Sequence, residues 1–210
     1  MRAVSRRLIL AAAPMLALAA CHKGGAGGAV SSDEMTMGDP KAKVTMIEYA
    51  SVACPVCAEF NNTVFDDFKK KYIDTGKVYY VFREALTGNP ALAGSGFLLA
   101  RCAGKDNYFK VTDAIFRAQD QMYEPDSENL KPGVAHDVLA RIAQEVGMSD
   151  DQMNKCLTDV KAVTALNDRV EKLAKEANLD ATPTFLINGK RYVGFQSEAQ
   201  LDAIVQPLLK

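Results

Sequence analysis

Apolar positions along the chain follow two periods. From Val44 to Ala50 every residue except Thr45 and Glu48 is apolar, the pattern of a strand buried in a sheet with helices on both faces. Phe60, Val64, Phe68 and Tyr72 then recur four apart and predict one buried helical face. After a break at Thr75-Gly76, Val78 to Phe82 predicts a second strand. From Asn89 to about Asn178 the pattern is helical. Phe97, Leu98, Arg101 and Cys102 belong to one short helix, and Tyr108, Val111, Ile115 and Phe116 to another. A polar break runs from Glu124 to Pro132, after which Val138, Ile142 and Val146 mark a helix stopped by Gly147. Ser149 and Gln152, spaced as a capping box, open the helix of Met153, Cys156 and Leu157. The longest stripe is Val163, Leu166, Val170, Leu173 and Ala177. The last third returns to strands, with Thr184–Ile187, Asn188-Gly189 and Arg191–Phe195 spaced as a tight hairpin. Ser197 and Gln200 open a final helix, whose last turn Pro207 is expected to distort.

The chemistry-bearing stretch lies where the first strand meets the first helix, at Ala53-Cys54-Pro55-Val56-Cys57. Cys54 falls at the helix N-terminus, where unpaired N–H groups and the positive end of the dipole favour a thiolate. Cys57 lies one turn further in, within reach of a disulfide to Cys54, and Pro55 suits a first turn that needs no N–H. This spacing is that of a redox pair, and also of half a zinc site. Zinc needs further ligands, and the remaining cysteines are single while His22 and His136 fall in unrelated segments. The reading therefore calls for no metal and no cofactor.

With 210 residues and 48% hydrophobic content, the chain can bury one core, or one core with a sizeable helical insertion. Arg2, Arg6 and Arg7 precede an apolar run from Leu8 to Ala20 that is shaped like an export signal and is short for a membrane span. It ends in Leu18-Ala19-Ala20-Cys21, which resembles the lipobox of bacterial lipoproteins and so implies a signal over residues 1–20 and lipidation of Cys21. An ordinary signal peptide with Cys21 incidental is the alternative. Five cysteines are odd for an oxidising compartment, and lipidation would leave four. His22 at the second mature position, in place of Asp, would weaken an inner-membrane retention signal. Residues 21–38, with Gly24, Gly25, Gly27 and Gly28, read as a flexible tether too short for a dimerisation domain, which points to a monomer. Removing residues 1–20 takes away three arginines and no acid, moving the formal charge from -1 to -4. A mildly acidic chain with no basic run gives no support for nucleic-acid binding.

The order strand, CxxC, helix, strand, long helical stretch, then Ala181-Thr182-Pro183-Thr184 entering a hairpin and last helix resembles the thioredoxin fold. It is most similar to the DsbA-like branch, an α/β fold with an inserted α-helical domain. The resemblance implies a thioredoxin-like core over 39–88 and 179–210 and a helical insertion over 89–178. It implies a cis Pro183 packed beside the disulfide, Thr182 offering backbone hydrogen bonds to an extended substrate, and Pro55 and Val56 meeting that substrate. Glu48, six residues before Cys54, falls where the family carries a buried acid that relays a proton to or from Cys57. An edge-strand glutamate reaching water is the other reading of that position. Strongly oxidising relatives often have His where this chain has Val56. Cys54 is therefore expected to be less acidic, and the disulfide to lie nearer about -180 mV than about -120 mV. Cys102 and Cys156 are expected to form a second, structural disulfide, with two buried free thiols as the alternative. The function implied is a thiol-disulfide oxidoreductase of the bacterial periplasm, lipid-anchored to the cell envelope, that oxidises dithiols of exported proteins. Its partners would be reduced or misoxidised exported proteins and a membrane oxidase of the DsbB type. The same pair could serve a reductase or isomerase, fed by a DsbD-type donor if a reductase, and a chaperone or binding protein with a static disulfide is the non-catalytic alternative.

Overall fold

The computed structural model describes residues 30–125, 127 and 129–210. The export signal, Cys21, His22 and the glycines of the expected tether lie outside the described residues. The fold is thioredoxin-like with a helical insertion, built on a five-stranded mixed sheet in the order β1-β3-β2-β4-β5. The strands are β1 (Met35–Met37), β2 (Val44–Ala50), β3 (Val78–Glu84), β4 (Thr184–Ile187) and β5 (Lys190–Val193). The β2 and β3 strands are parallel, and every other pairing is antiparallel. Two parallel neighbours need a crossover, supplied here by one helical run from Pro55 to Ile73. That run comprises α1 (Pro55–Phe60), a π-helical stretch (Asn61–Phe65), α2 (Asp66–Phe68) and a second π-helical stretch (Lys69–Ile73). Residues four apart drift by about 40° per step on an ideal α-helix. The wider π turns absorb that drift, which keeps Phe60, Val64, Phe68 and Tyr72 all on the buried face.

Both faces of β2 are covered, as its near-continuous apolar run requires. Val44, Met46 and Ala50 pack into the large core shared with α1, α3 (Pro90–Cys102) and α4 (Lys105–Met122). Ile47 and Tyr49 join Val81 and Leu186 on the opposite face, under Leu173 of α7 (Val160–Glu176) and the nearby Ala177 and Leu179. Glu48 is therefore on a central strand, opposite Phe82 on one side and Phe185 on the other, and is only 3% exposed. The edge-strand reading of Glu48 is corrected by this position. The capping boxes at Ser149 and Ser197 form, opening α6 (Asp150–Leu157) and α8 (Glu198–Leu209). Between α4 and α6 lies α5 (Val134–Glu145). Asn188 and Gly189 reverse the hairpin with φ of 47° and 82°. Pro207 is accommodated within α8, which continues to Leu209, because so close to the end the missing N–H disturbs only the last turn.

The sheet begins earlier than the pattern suggested. Met35–Met37, inside the stretch read as tether, pair with Phe82, Val81 and Tyr80 of β3. Three residues are too few to display a period. What holds them is a polar latch: the buried Glu34 carboxylate accepts from Arg83 Nε, and Arg83 Nη1 donates to the Tyr49 hydroxyl at 2.6 Å. Arg169 donates twice to Asp33, at 2.6 and 3.0 Å, and Lys105 donates to the Ser32 carbonyl. The Ser31 hydroxyl and Arg169 hold the Asp33 carboxyl well below the usual carboxylate range. At the C-terminal end of α3, Cys102 is bonded to Cys156 of α6, with Cα atoms 6.4 Å apart and a separation of 54 positions in sequence.

Two stability changes are expected, both read from urea midpoints. Glu34→Ala removes the buried carboxylate that accepts from Arg83 Nε and should remove about 3–5 kcal/mol. Replacing both Cys102 and Cys156 by Ala reopens a long loop in the unfolded chain and should remove about 2–4 kcal/mol.

Candidate active site

The site gathers at the C-terminal end of β2. After Ala50 the chain turns through Ser51, whose hydroxyl donates to the Thr87 carbonyl at 2.7 Å and accepts the Ala53 N–H at 3.2 Å. The Cys54 N–H donates to the Ser51 carbonyl, which leaves Cys54 extended at the N-cap of α1 with Pro55 in the first turn. Cys57 is fully buried and Cys54 is 7% exposed, so the outer sulfur is the reachable one. Both are free thiols here. Val56, between them, is one of the few large apolar side chains left exposed among the described residues.

The Thr182-Pro183 peptide bond is cis and brings the loop before β4 against Cys54, whose sulfur lies 3.5 Å from the Thr182 carbonyl oxygen. The Pro183 carbonyl is tied to the Gly194 N–H at 2.8 Å, so the hairpin holds this loop from behind. Thr182 and Thr87 hydroxyls are 2.6 Å apart, linking the loop after β3 to the loop before β4. Gly88, at φ +74°, lies so close to Ala53 that an added Cβ would sit 2.3 Å from its carbonyl oxygen. Only glycine permits that approach.

The electrostatics of the two thiols diverge. The Cys54 thiol is lowered from 9.0 to about 6, first because the Cys57 thiol donates to it. The Thr182 side chain and the N–H groups of Cys57 and Val56 add to this, against an opposing effect of burial. Cys57 is pushed far upward, by burial first and then by its hydrogen bond to Cys54. Glu48 is raised from 4.5 to about 8 by burial, and the Tyr80 hydroxyl, donating to Oε2 at 2.7 Å, only partly offsets it. The negative charge of Cys54 also raises it. The structure thus brings Cys54, Cys57, Glu48, Pro55, Val56, Thr182 and Pro183 to one end of the sheet, while Cys102 and Cys156 lie apart in the helical insertion. Cys21 lies outside the described residues. Among the described residues no three His, Cys, Asp or Glu side chains converge as metal ligands.

Four contributors escape a reading of motifs. Gln119 of α4 is buried and donates to the Val52 carbonyl at 2.8 Å and the Cys54 carbonyl at 3.3 Å. Tyr123 donates to the Ala53 carbonyl at 3.0 Å. Tyr80 and Thr87 complete the set. Gln119 did carry a signal, since it continues the buried stripe of Val111 and Ile115 at a spacing of four. Beside Pro55 a cavity of about 330 Å³ opens between this turn and the insertion, lined by Ala53, Gly88, Tyr123 and Lys131 among others.

The family model described as thioredoxin matches residues 31–207. The chain belongs to the thioredoxin family. Within it the chain is DsbA-like. The crystal structure of Wolbachia pipientis alpha-DsbA1 superposes with a TM-score of 0.75 at 27% identity, covering 86% of this chain and 92% of that one. BdbD from Bacillus subtilis, in its oxidised form, shares the fold with a TM-score of 0.71 at 22% identity, over 84% of this chain and 92% of that one. Among curated sequences, a Rickettsia bellii protein named "Putative protein-disulfide oxidoreductase" is 32% identical over 161 residues, 76% of this chain and 59% of its own length. The chain thus spans about three fifths of that relative. Thioredoxin-family membership accounts for the sheet order and for the site lying at the end of β2.

Glu48 and Cys54 bend stability with pH in opposite senses. Glu48 keeps its proton in the folded chain up to about 8, so its contribution is full below 4.5 and is lost as pH rises to 8. Cys54 loses its proton early when folded, so the reduced fold gains stability as pH rises from about 6 to 9. Urea unfolding of the reduced protein should show a decline on the order of 2 kcal/mol between pH 4.5 and 6 from Glu48 alone. Glu48→Gln should abolish that decline and uncover a rise above pH 6, which in the parent the continuing Glu48 loss cancels up to about pH 8. A variant that tracks the parent below pH 6 would remove Glu48 from the account.

Proposed function

We propose that the chain is a thiol-disulfide oxidoreductase of the DsbA type, acting through Cys54 and Cys57. The observation that carries this is the asymmetry of the pair: a less buried sulfur stabilised as a thiolate against a fully buried one that resists ionisation. In the oxidising direction a substrate thiolate attacks the Cys54 sulfur of the disulfide, the Cys54–Cys57 bond breaks, and its electron pair goes to the Cys57 sulfur. Because Cys57 cannot comfortably carry charge, it takes a proton. Glu48, a neutral acid at pH 7, is the donor of suitable position and acidity. A second substrate thiolate then attacks the substrate sulfur of the mixed disulfide. The leaving group is the Cys54 thiolate, a good one because it is the weaker base. The substrate ends with a disulfide and the enzyme with two thiols. Thr182 and cis Pro183 hold an extended substrate beside Cys54, with Pro55 and Val56 as its apolar contacts.

The substrates in this reading are exported proteins in the periplasm, and the working form is a monomer held by a lipid on Cys21. Reoxidation falls to a membrane partner of the DsbB type. The Cys102–Cys156 bond takes no part in exchange and serves the insertion as a staple. Support comes from the names of the relatives, which include a Bacillus subtilis "Disulfide bond formation protein D" that is 24% identical over 174 residues. The export-like N-terminus supports the compartment.

The test is the equilibrium of the pair against glutathione, with each cysteine followed by mass spectrometry. A potential above about -200 mV is expected, whereas one near about -270 mV would make the chain a reductase. Cys57→Ser should trap a mixed disulfide on Cys54, and Cys54→Ser should abolish exchange. Absence of exchange by the parent chain would leave a static staple in place of a redox centre.

A further inference from the structure

We propose that Thr87 is a positioning residue for the Cys54 thiolate: its hydroxyl, 2.6 Å from that of Thr182, directs the Thr182 O–H toward the Cys54 sulfur when that sulfur is a thiolate. The inference rests on Cys54 being the exchanging sulfur of the proposed function, the one attacked by substrate and released as a thiolate.

Thr87 is fixed to the turn that carries Cys54. Its carbonyl accepts the Ser51 hydroxyl, and the residue after it, Gly88, is packed against the Ala53 carbonyl. Ser51 has thereby used its only proton and cannot donate elsewhere. Thr182 lies 95 residues away in sequence, half-buried, with its carbonyl facing the Cys54 sulfur and its hydroxyl facing Thr87.

The argument is one of protons and acceptors. A hydroxyl has one proton to give and two lone pairs to accept with. While Cys54 is a thiol, its S–H donates to the Thr182 carbonyl and the two hydroxyls can bond to each other in either sense. Once Cys54 is a thiolate it is the strongest acceptor nearby, and only one arrangement uses both hydroxyl protons. Thr87 donates to Thr182, and Thr182 donates to the sulfur. A hydroxyl that accepts a hydrogen bond is polarised into a better donor, so Thr87 strengthens the Thr182 bond to sulfur without touching sulfur itself. It also fixes the side chain of Thr182, the residue whose carbonyl lies 3.5 Å from the Cys54 sulfur. The titratable groups facing the sulfur are Cys57 on α1 and Glu48 on β2, and substitution at Thr87 leaves both in place.

The experiment titrates the thiolate absorbance of the reduced full chain near 240 nm, a wavelength at which thiolates absorb and thiols do not, in the parent and in four variants: Thr87→Val, Thr87→Ser, Thr182→Val and the double valine. Thr87→Val should raise the Cys54 midpoint by about half a pH unit, roughly a threefold weaker acid. Its disulfide should then be roughly threefold less oxidising against glutathione at pH 7. Thr87→Ser keeps the hydroxyl and should match the parent. Thr182→Val should raise the midpoint, and adding Thr87→Val to it should change nothing further, since the relay is already broken. Thr87→Ala reads the same hydroxyl if valine misfolds. A Thr87→Val or Thr87→Ala midpoint equal to the parent's, or an equal rise in the Thr182→Val background, overturns the proposal. A parent chain with neither a thiolate below pH 8 nor exchange with glutathione overturns the oxidoreductase reading itself, and the proposal with it.

Discussion

Burial of Cys57 on α1 and of Glu48 on β2 decides where negative charge can reside. Both sit where solvation of an anion is poor, and each would worsen the other if both ionised. Charge is therefore pushed outward by one helical turn, to the sulfur of Cys54, which the chain surrounds with donors from three places. The first turn of α1 supplies two N–H groups, Cys57 supplies its S–H, and the loop before β4 supplies a hydroxyl. With β3 parallel and β4 antiparallel to β2, the loop after β3 and the loop before β4 both lie at the C-terminal end of β2, where they reach Cys54 or its backbone.

The helical insertion is part of this arrangement and does more than cover the core. Its α4 helix offers the buried amide of Gln119 to the carbonyls of Val52 and Cys54, and Tyr123 beyond it takes the carbonyl of Ala53. Three consecutive peptide units of the active-site turn are thereby held by residues about 65 to 70 positions away. Carbonyl oxygens that would otherwise need water, close to a sulfur that must stay partly dry, are satisfied by protein groups. The position of α4 and the geometry of the redox pair are consequently coupled.

Much of the architecture is legible in the chain because it is local. The double-sided apolar run of β2, the capping boxes at Ser149 and Ser197 and the Asn188-Gly189 turn each declare themselves within a few residues. Cys54 and Cys57 do so by spacing, and Thr182-Pro183 gains meaning only beside them. What stayed hidden is what two distant segments make together. Glu48 could have faced water until β4 was seen to close the far side of β2, and Thr87 is an ordinary loop threonine until Thr182 lies against it. The strand Met35–Met37 was hidden for a different reason: its stability comes from Glu34 meeting Arg83, a pairing across 49 residues that no periodicity announces. The π-helical stretches had left a trace, in a spacing of four sustained beyond what an α-helix can keep on one face.

The polar latch at the start of the described chain also has a mechanical meaning. Tension arriving along the backbone before Ser31 would meet Asp33 clamped by Arg169 of α7, Ser32 held by Lys105 of α4 and Glu34 locked to Arg83 before it reached β1. Load is then shared between the sheet and two helices of the insertion, in parallel, instead of unzipping an edge strand one hydrogen bond at a time. A domain built this way can be pulled from its N-terminal side while the turn around Cys54 keeps its shape.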